Sequence, residues 1–229
     1  GKYGAHTPNA EPPVIPDMDV LHAVRIAEER VLGSKSKWWK FMKVLPSRAD
    51  YAHFHPLMAT DSDFEGWEEL PMVQDARRKR TSVAAQYKEA LLSKFFAWEE
   101  LWYCFVVGIS RSYGAVLHNE ATGLDSFSPI VVPGADMGNT DVEERINTRW
   151  GYNREVGAFY INTTRFVSAG EELVESYQVS SKKDNAFLGY MFGMSLSANP
   201  TRVKQLSAEQ CRRLLFKPSA DVSRTDLTK

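Results

Sequence analysis

Cysteine is nearly missing from this sequence. Cys104 and Cys211 are the only two in 229 residues, too few for a disulfide framework or a thiolate-built zinc site. An excess of either charge is missing as well: 28 Lys and Arg stand against 29 Asp and Glu, a formal net charge of -1. A chain so balanced has no general means of holding nucleic acid by neutralising phosphates. No apolar run approaches the roughly 20 residues that cross a bilayer as a helix, and no stretch reads as a signal peptide. Sparse thiols suit an intracellular compartment, an organelle included. What remains is 43% hydrophobic and 25% charged, the composition of an ordinary globular protein. The length suits one large domain or two small ones.

Proline, glycine and alanine crowd residues 1–16, GKYGAHTPNAEPPVIP, which predicts an extended arm with no core of its own. After Asp17, a suitable N-cap, Val20, Ala23, Val24 and Ala27 recur at helical spacing up to a stop at Gly33. Lys35 to Leu45 predicts a second helix closed by Pro46, its lysines forming a solvated face. Ser47 to Phe64 reads as irregular. His53 and His55 within it pose a metal site as the alternative to an ordinary loop, but no neighbouring Cys or His completes one. Met72 to Lys94 predicts a long helix, with Arg77-Arg78-Lys79-Arg80 facing solvent rather than binding phosphate. Trp98 to Ile109 is apolar on most sides, through Trp98, Leu101, Trp102, Phe105, Val106 and Ile109, and must be buried. His118 to Asp125 reads as a loop, and Gly134 to Thr140 as a tight polar turn. Phe127 to Val132 and Gly157 to Phe166 predict strands. Gly170 to Tyr177 predicts another, pairing with the Gly157–Phe166 strand in a hairpin-like arrangement. Residues 180–193 predict a helix, Ala208 to Phe216 a last one, and Ser219 to Lys229 a polar tail.

Four motifs occur in a fixed order. The buried helix ends in Ser110-Arg111-Ser112-Tyr113. Val132-Pro133-Gly134-Ala135-Asp136 leads to Asn139-Thr140. Ala169-Gly170-Glu171 leads to Tyr177, and Asn185 leads through Leu188 to Tyr190-Met191-Phe192. Together with SKWWKFMKVLP at 36–46, they resemble the SET domain of protein lysine methyltransferases, of the Rubisco large-subunit methyltransferase type. The resemblance covers about residues 20 to 200. It implies an α+β, SET-like fold: a small antiparallel β-region with a large helical insertion. The implied division is an arm at 1–16, a SET-like domain at 17–200 with its helical insertion at 17–110 and its C-terminal portion at 111–200, and a C-terminal helix and tail at 201–229.

That family moves a methyl group from S-adenosylmethionine to a neutral lysine amine. Free lysine has a pKa of about 10.4, so the chemistry asks for positioning and exclusion of water rather than a protein nucleophile. The resemblance makes Tyr177 the catalytic tyrosine. It puts Ser110, Arg111, Tyr113, Asn139, Thr140 and Phe192 around the cofactor, and Tyr190 in the wall of the lysine channel.

Three departures fall on that site. The family's Asn-His is Asn139-Thr140 here. Its Tyr-Gly-Phe is Tyr190-Met191-Phe192, which is expected to crowd a turn that normally has no side chain. Its early Gly-x-Gly hairpin finds a counterpart only in Gly1-Lys2-Tyr3-Gly4, so a wall of the cofactor site is expected to be missing, a truncated and degenerate pattern. The expectation is a non-catalytic SET-like subunit that takes no cofactor and binds other proteins in a larger assembly. The alternative is an active S-adenosylmethionine-dependent protein-lysine N-methyltransferase acting on a protein lysine. A purely helical scaffold is a third reading, opposed by the strand motifs.

Overall fold

In the computed structural model, which describes residues 15–119, 123–177 and 185–196, helices fill the chain up to Arg111 and short strands follow. Helix α1 (Met18–Leu32) begins where the Asp17 carboxylate accepts the Val20 N–H at 2.9 Å. It ends at Gly33, whose φ of 54° is open to glycine at no steric cost. Its buried face, Val20, Ala23, Ile26 and Ala27, lies against the apolar helix at Trp98–Arg111.

Three elements between these two helices depart from the sequence expectation. The expected Lys35–Leu45 helix shrinks to α2 (Trp39–Met42), preceded by a 3-10 turn at Gly33–Lys35. The cause is Ser36. Its hydroxyl donates to buried Glu29 at 2.6 Å and accepts the Trp38 N–H at 3.0 Å, which holds its own backbone extended. The stretch expected to be irregular contains α3 (Arg48–Phe54), opened by a reciprocal capping box between Ser47 and Asp50. Helix α4 (Pro71–Glu89) starts on a proline that has no N–H to leave unpaired. It stops short of Lys94 because Leu91 takes a φ of 56°, the one non-glycine residue with positive φ among those described.

Helix α5 (Trp98–Arg111) is the core. Every residue from Leu101 to Gly108 is buried. A side chain such as Leu101 or Phe105 contributes about 1.5–3 kcal/mol by leaving water. The polar ends of its aromatics are matched: the Trp102 indole N–H donates to the Leu57 carbonyl at 2.9 Å, and the Tyr103 hydroxyl to the Pro46 carbonyl at 2.9 Å.

The β-region consists of strand pairs. β1 (Ser112–Asn119) and β2 (Leu124–Val131) are antiparallel, Ser112 opposite Val131 and Asn119 opposite Leu124. Both ends of the expected 118–125 loop, residues 118–119 and 124–125, are therefore strand. β3 (Asn139–Thr140) follows a 3-10 turn at Ala135–Met137. β4 (Thr148–Asn153) and β5 (Ala158–Thr163) form a second antiparallel hairpin.

The last strand, β6 (Val174–Glu175), does not pair with β5. It runs parallel to β3, Asn139 opposite Val174 and Thr140 opposite Glu175. Parallel neighbours need a long connection, and the β4–β5 hairpin is that connection. Buried Asn147 closes it. Its side-chain carbonyl accepts the Val174 N–H at 2.8 Å, its amide donates to the Glu172 carbonyl at 2.8 Å, and its backbone N–H donates to the Val174 carbonyl at 3.1 Å. A side chain thus supplies the bonds that an expected hairpin partner would have made.

Helix α6 (Asn185–Phe192) packs on α4 and α5. The whole is an α+β fold with small, mainly antiparallel sheets. Most of the expected N-terminal arm (residues 1–14), the expected helix at 208–216 and the polar tail lie outside the described residues. No helix among the described residues is long and apolar enough to cross a membrane.

Candidate active site

Four elements converge where α5 hands the chain to β1. The end of α5 brings Ser110 and Arg111, β1 brings Tyr113, β6 brings Glu175 with Tyr177 just beyond it, and α6 brings Met191 and Phe192. Between them lies a cavity of about 250 Å3, with Trp150 and Asp136 also in its lining.

Tyr177 is held at three points. Its backbone N–H donates to Thr140 Oγ1 at 3.2 Å, its hydroxyl donates to the Gly138 carbonyl at 2.5 Å, and its ring centroid sits 4.6 Å from that of Phe192. Burial, with the negative charge of Glu175 next in weight, pushes its hydroxyl pKa up to about 12. It therefore stays protonated and serves as a hydrogen-bond donor at neutral pH. Tyr113 is more strongly held in the same state. Burial and its bond to Glu175 raise its pKa, and its hydroxyl lies 2.6 Å from Glu175 Oε1 and 2.8 Å from the Ala135 carbonyl. Its ring packs against the stacked pair Trp150 and Phe159, at 5.1 and 4.7 Å between centroids.

Two acids lie in this wall. The Asp136 side chain is wholly buried and pairs with Arg111 at 3.0 Å, and it also accepts the Gly134 N–H at 3.0 Å. Burial nevertheless keeps its carboxyl above the usual carboxylate range, against the pull of Arg111. Glu175 is 3% exposed. Burial raises its pKa, the Tyr113 bond opposes that, and Asp136 adds to it. Its Oε2 has no hydrogen-bond partner among the described residues.

The residues singled out from the sequence divide into groups. Ser110, Arg111, Tyr113, Tyr177 and Phe192 line the cavity together. Ser110 also donates to the Val106 carbonyl at 2.7 Å, and Arg111 Nε to the Tyr51 hydroxyl at 3.2 Å. Asn139 and Thr140 adjoin the site without lining the cavity. The Asn139 amide is exposed and donates to Glu172 Oε1 at 2.6 Å, while Thr140 is spent on the Tyr177 backbone. Tyr190 lines a separate groove beside Pro71, Asp75 and Arg78 of α4.

Met191 does not crowd a turn, because it lies within α6. The position that tolerates no side chain is Gly193, where φ is 68° and a Cβ would come within 2.8 to 3.1 Å of Phe54 and His55. His55 proves to be a structural residue. It is buried, its Nδ1 accepts the Leu57 N–H at 3.3 Å, and its Nε2 donates to the Met191 carbonyl at 3.2 Å. No group of three potential metal ligands occurs among the described residues.

Asp136 was read from the sequence only as part of a motif, without a role, and Glu175 was not singled out. For Glu175 a signal existed: in an extended segment residues 175 and 177 share a face, so a cavity-facing Tyr177 brings Glu175 with it. No protein-family model matches this chain, and no curated protein matches it either.

Proposed function

We propose that this chain is a SET-like, methyltransferase-derived subunit that binds other proteins in a larger assembly and transfers no methyl group. One observation carries the reading: the polar groups that the resemblance gives to cofactor and substrate are already bonded within the chain. The Tyr177 hydroxyl is on the Gly138 carbonyl, the Asn139 amide on Glu172, Arg111 on Asp136 and Tyr51, and Thr140 on the Tyr177 N–H. Binding a cofactor through these groups would break existing bonds for each one gained, so little net free energy is left to drive it.

The residues present do not fit S-adenosylmethionine. A cavity of about 250 Å3 falls below the ~300–1,000 Å3 usual for pockets that enclose ligands of that size, and Asn139 and Thr140 stand outside it. A buried carboxyl in the wall adds a second obstacle. A methyl acceptor must be a neutral amine, and a neighbouring carboxylate favours the charged form.

The alternative, an active S-adenosylmethionine-dependent protein-lysine N-methyltransferase, draws support from the Tyr177 hydroxyl and the Gly138 carbonyl, which meet beside the cavity as oxygens suited to orienting an amine. Calorimetry of the full chain with S-adenosylmethionine separates the two readings. The proposal expects no binding at micromolar cofactor and no label transferred to protein substrates. Micromolar binding, with methyl transfer lost in Tyr177→Phe, would decide for the enzyme.

A further inference from the structure

Charge is balanced over the whole chain but not along it. Between Glu29 and Asp50 stand six Lys and Arg and no Asp or Glu. Lys35, Lys37, Lys40 and Lys43 are all exposed, and none of them has an ion pair among the described residues. The acids that precede the stretch are already engaged. Glu28 and Glu29 each pair with Arg25 at 2.9 Å, and buried Glu29 also accepts the Ser36 hydroxyl.

The same stretch exposes apolar side chains. Val31 is 72% exposed and Val44 62%, and Leu32 and Trp38 are exposed as well. The segment is nevertheless fixed to the body. Phe41 and Met42 pack against the core, Leu45 is buried, and Ser36 is tied to Glu29. Its shape is set before any partner arrives, so little ordering cost opposes binding.

Three kinds of partner carry the opposite charge, and they differ in what else they reward. Nucleic acid rewards the cations, but Val31, Leu32 and Val44 have no ring to stack on a base. A protein interface rewards apolar burial, but such surfaces are enriched in Arg and depleted in Lys, and every cation from 31 to 44 is Lys. An anionic lipid surface rewards both. Lysines extend apolar stems and put their ammonium groups at the headgroups, while Trp and aliphatic side chains settle at the boundary with the acyl chains. The Lys37 ammonium lies 4.9 Å from the Trp38 ring centroid, which joins the two kinds of group in one contact.

We infer that residues 31–44 form a docking face for an anionic lipid surface. Lys35, Lys37, Lys40 and Lys43 meet the headgroups, and Val31, Leu32, Trp38 and Val44 enter the boundary beneath them. The chain lies on the surface and does not cross it. The inference goes beyond the protein-binding reading and does not rest on it.

The test is co-sedimentation of the full chain at physiological salt with two vesicles, phosphatidylcholine alone and phosphatidylcholine with about one-third phosphatidylserine. Binding to the anionic vesicles is expected, at least about tenfold tighter than to the neutral ones. Each lysine near such a surface contributes about fivefold, so Lys37→Gln combined with Lys40→Gln should lower the partition constant about 25-fold. Lys88→Gln, exposed on α4, should leave it unchanged. Lipid brominated in the acyl chain should quench tryptophan fluorescence. A chain left in the supernatant by anionic vesicles overturns the inference, and so does equal binding to both vesicles. Unchanged partitioning in the double variant, or binding without quenching, overturns it too. Tighter binding to a double-stranded oligonucleotide or to polyglutamate than to anionic vesicles would give the face to another class of partner. None of these results bears on the cofactor calorimetry, so failure of this inference and failure of the protein-binding reading are told apart.

Discussion

The helical layer and the β-region of this molecule are held together by different means. Around α5, stability comes from apolar burial, and the polar ends of Trp102 and Tyr103 finish on backbone carbonyls. Across β3, β4 and β6, it comes from polar side chains standing in for missing strand neighbours: Asn147, Thr140, and Thr148, whose hydroxyl donates to the Val174 carbonyl at 2.9 Å. The cavity lies on the seam between the two. Its floor belongs to the C-terminal end of α5, and the wall that carries Glu175 and Tyr177 to a thin lattice of hydrogen bonds. The division separates the part that specifies the fold from the part that offers unsatisfied chemistry.

Four measurements break or sharpen this contrast. Phe105→Ala removes a fully buried ring from the centre of α5; a loss of about 3–5 kcal/mol is expected in denaturant unfolding, and a loss under about 1 kcal/mol would refute the claim that this layer dominates. The next effect is in pH. Burial lowers the His55 pKa to about 4 from 6.5. The group is neutral in the fold and charges more readily when unfolded, so its contribution is present above about pH 6.5 and is lost as pH falls towards 4. The full swing is on the order of 3 kcal/mol. The urea midpoint should fall over that window in wild type and fall less in His55→Asn.

Asn147→Ala leaves the Val174 N–H without its acceptor and should cost about 1–3 kcal/mol. The telling readout is hydrogen exchange: the Val174 amide should speed up while α5 amides do not. Equal acceleration in both would mean that the two halves open as one. The smallest effect is expected of Glu175→Gln, which keeps the shape and the Tyr113 contact and removes a buried charge. Stability at pH 7 should match wild type or exceed it by up to about 1 kcal/mol; a loss greater than that in thermal unfolding would show that the carboxylate has an internal partner.

The sequence was most legible where burial writes a periodic pattern. α1 and α5 follow from their apolar residues, and an α+β arrangement with helices first follows from motif order. It was least legible where one side chain decides. Ser36 cut a helix short, Leu91 ended another, and the Ser47/Asp50 box started a third, none of which alters hydrophobic periodicity. The β3–β6 pair was misjudged because two-residue strands carry no alternation, and the contacts that join them come from Asn147, far away in sequence. At the candidate site, the motifs named Tyr113, Tyr177 and Phe192, which line one cavity. Glu175 was passed over because a glutamate in a glutamate-rich stretch reads as surface until its burial is known.

The closure made by Asn147 also marks a splice point. Everything from Asp141 to Leu173 leaves and re-enters the body at one gathered base, and the far end of that excursion is a tight turn. There Asn153 Oδ1 accepts the N–H groups of Glu155 and Val156 at 2.9 and 3.3 Å, Gly157 sits at a φ of 62°, and Val156 is 71% exposed. Because the base is fixed independently, the tip can be lengthened without re-registering the strands. Doubling a flexible loop adds only about 0.6 kcal/mol of closure entropy, and exposed tips of this kind are where inserted sequence is best accepted. A reporter domain placed after Val156 would ride outside the cavity while its carrier hairpin, through Trp150 and Phe159, still touches Tyr113 in the wall.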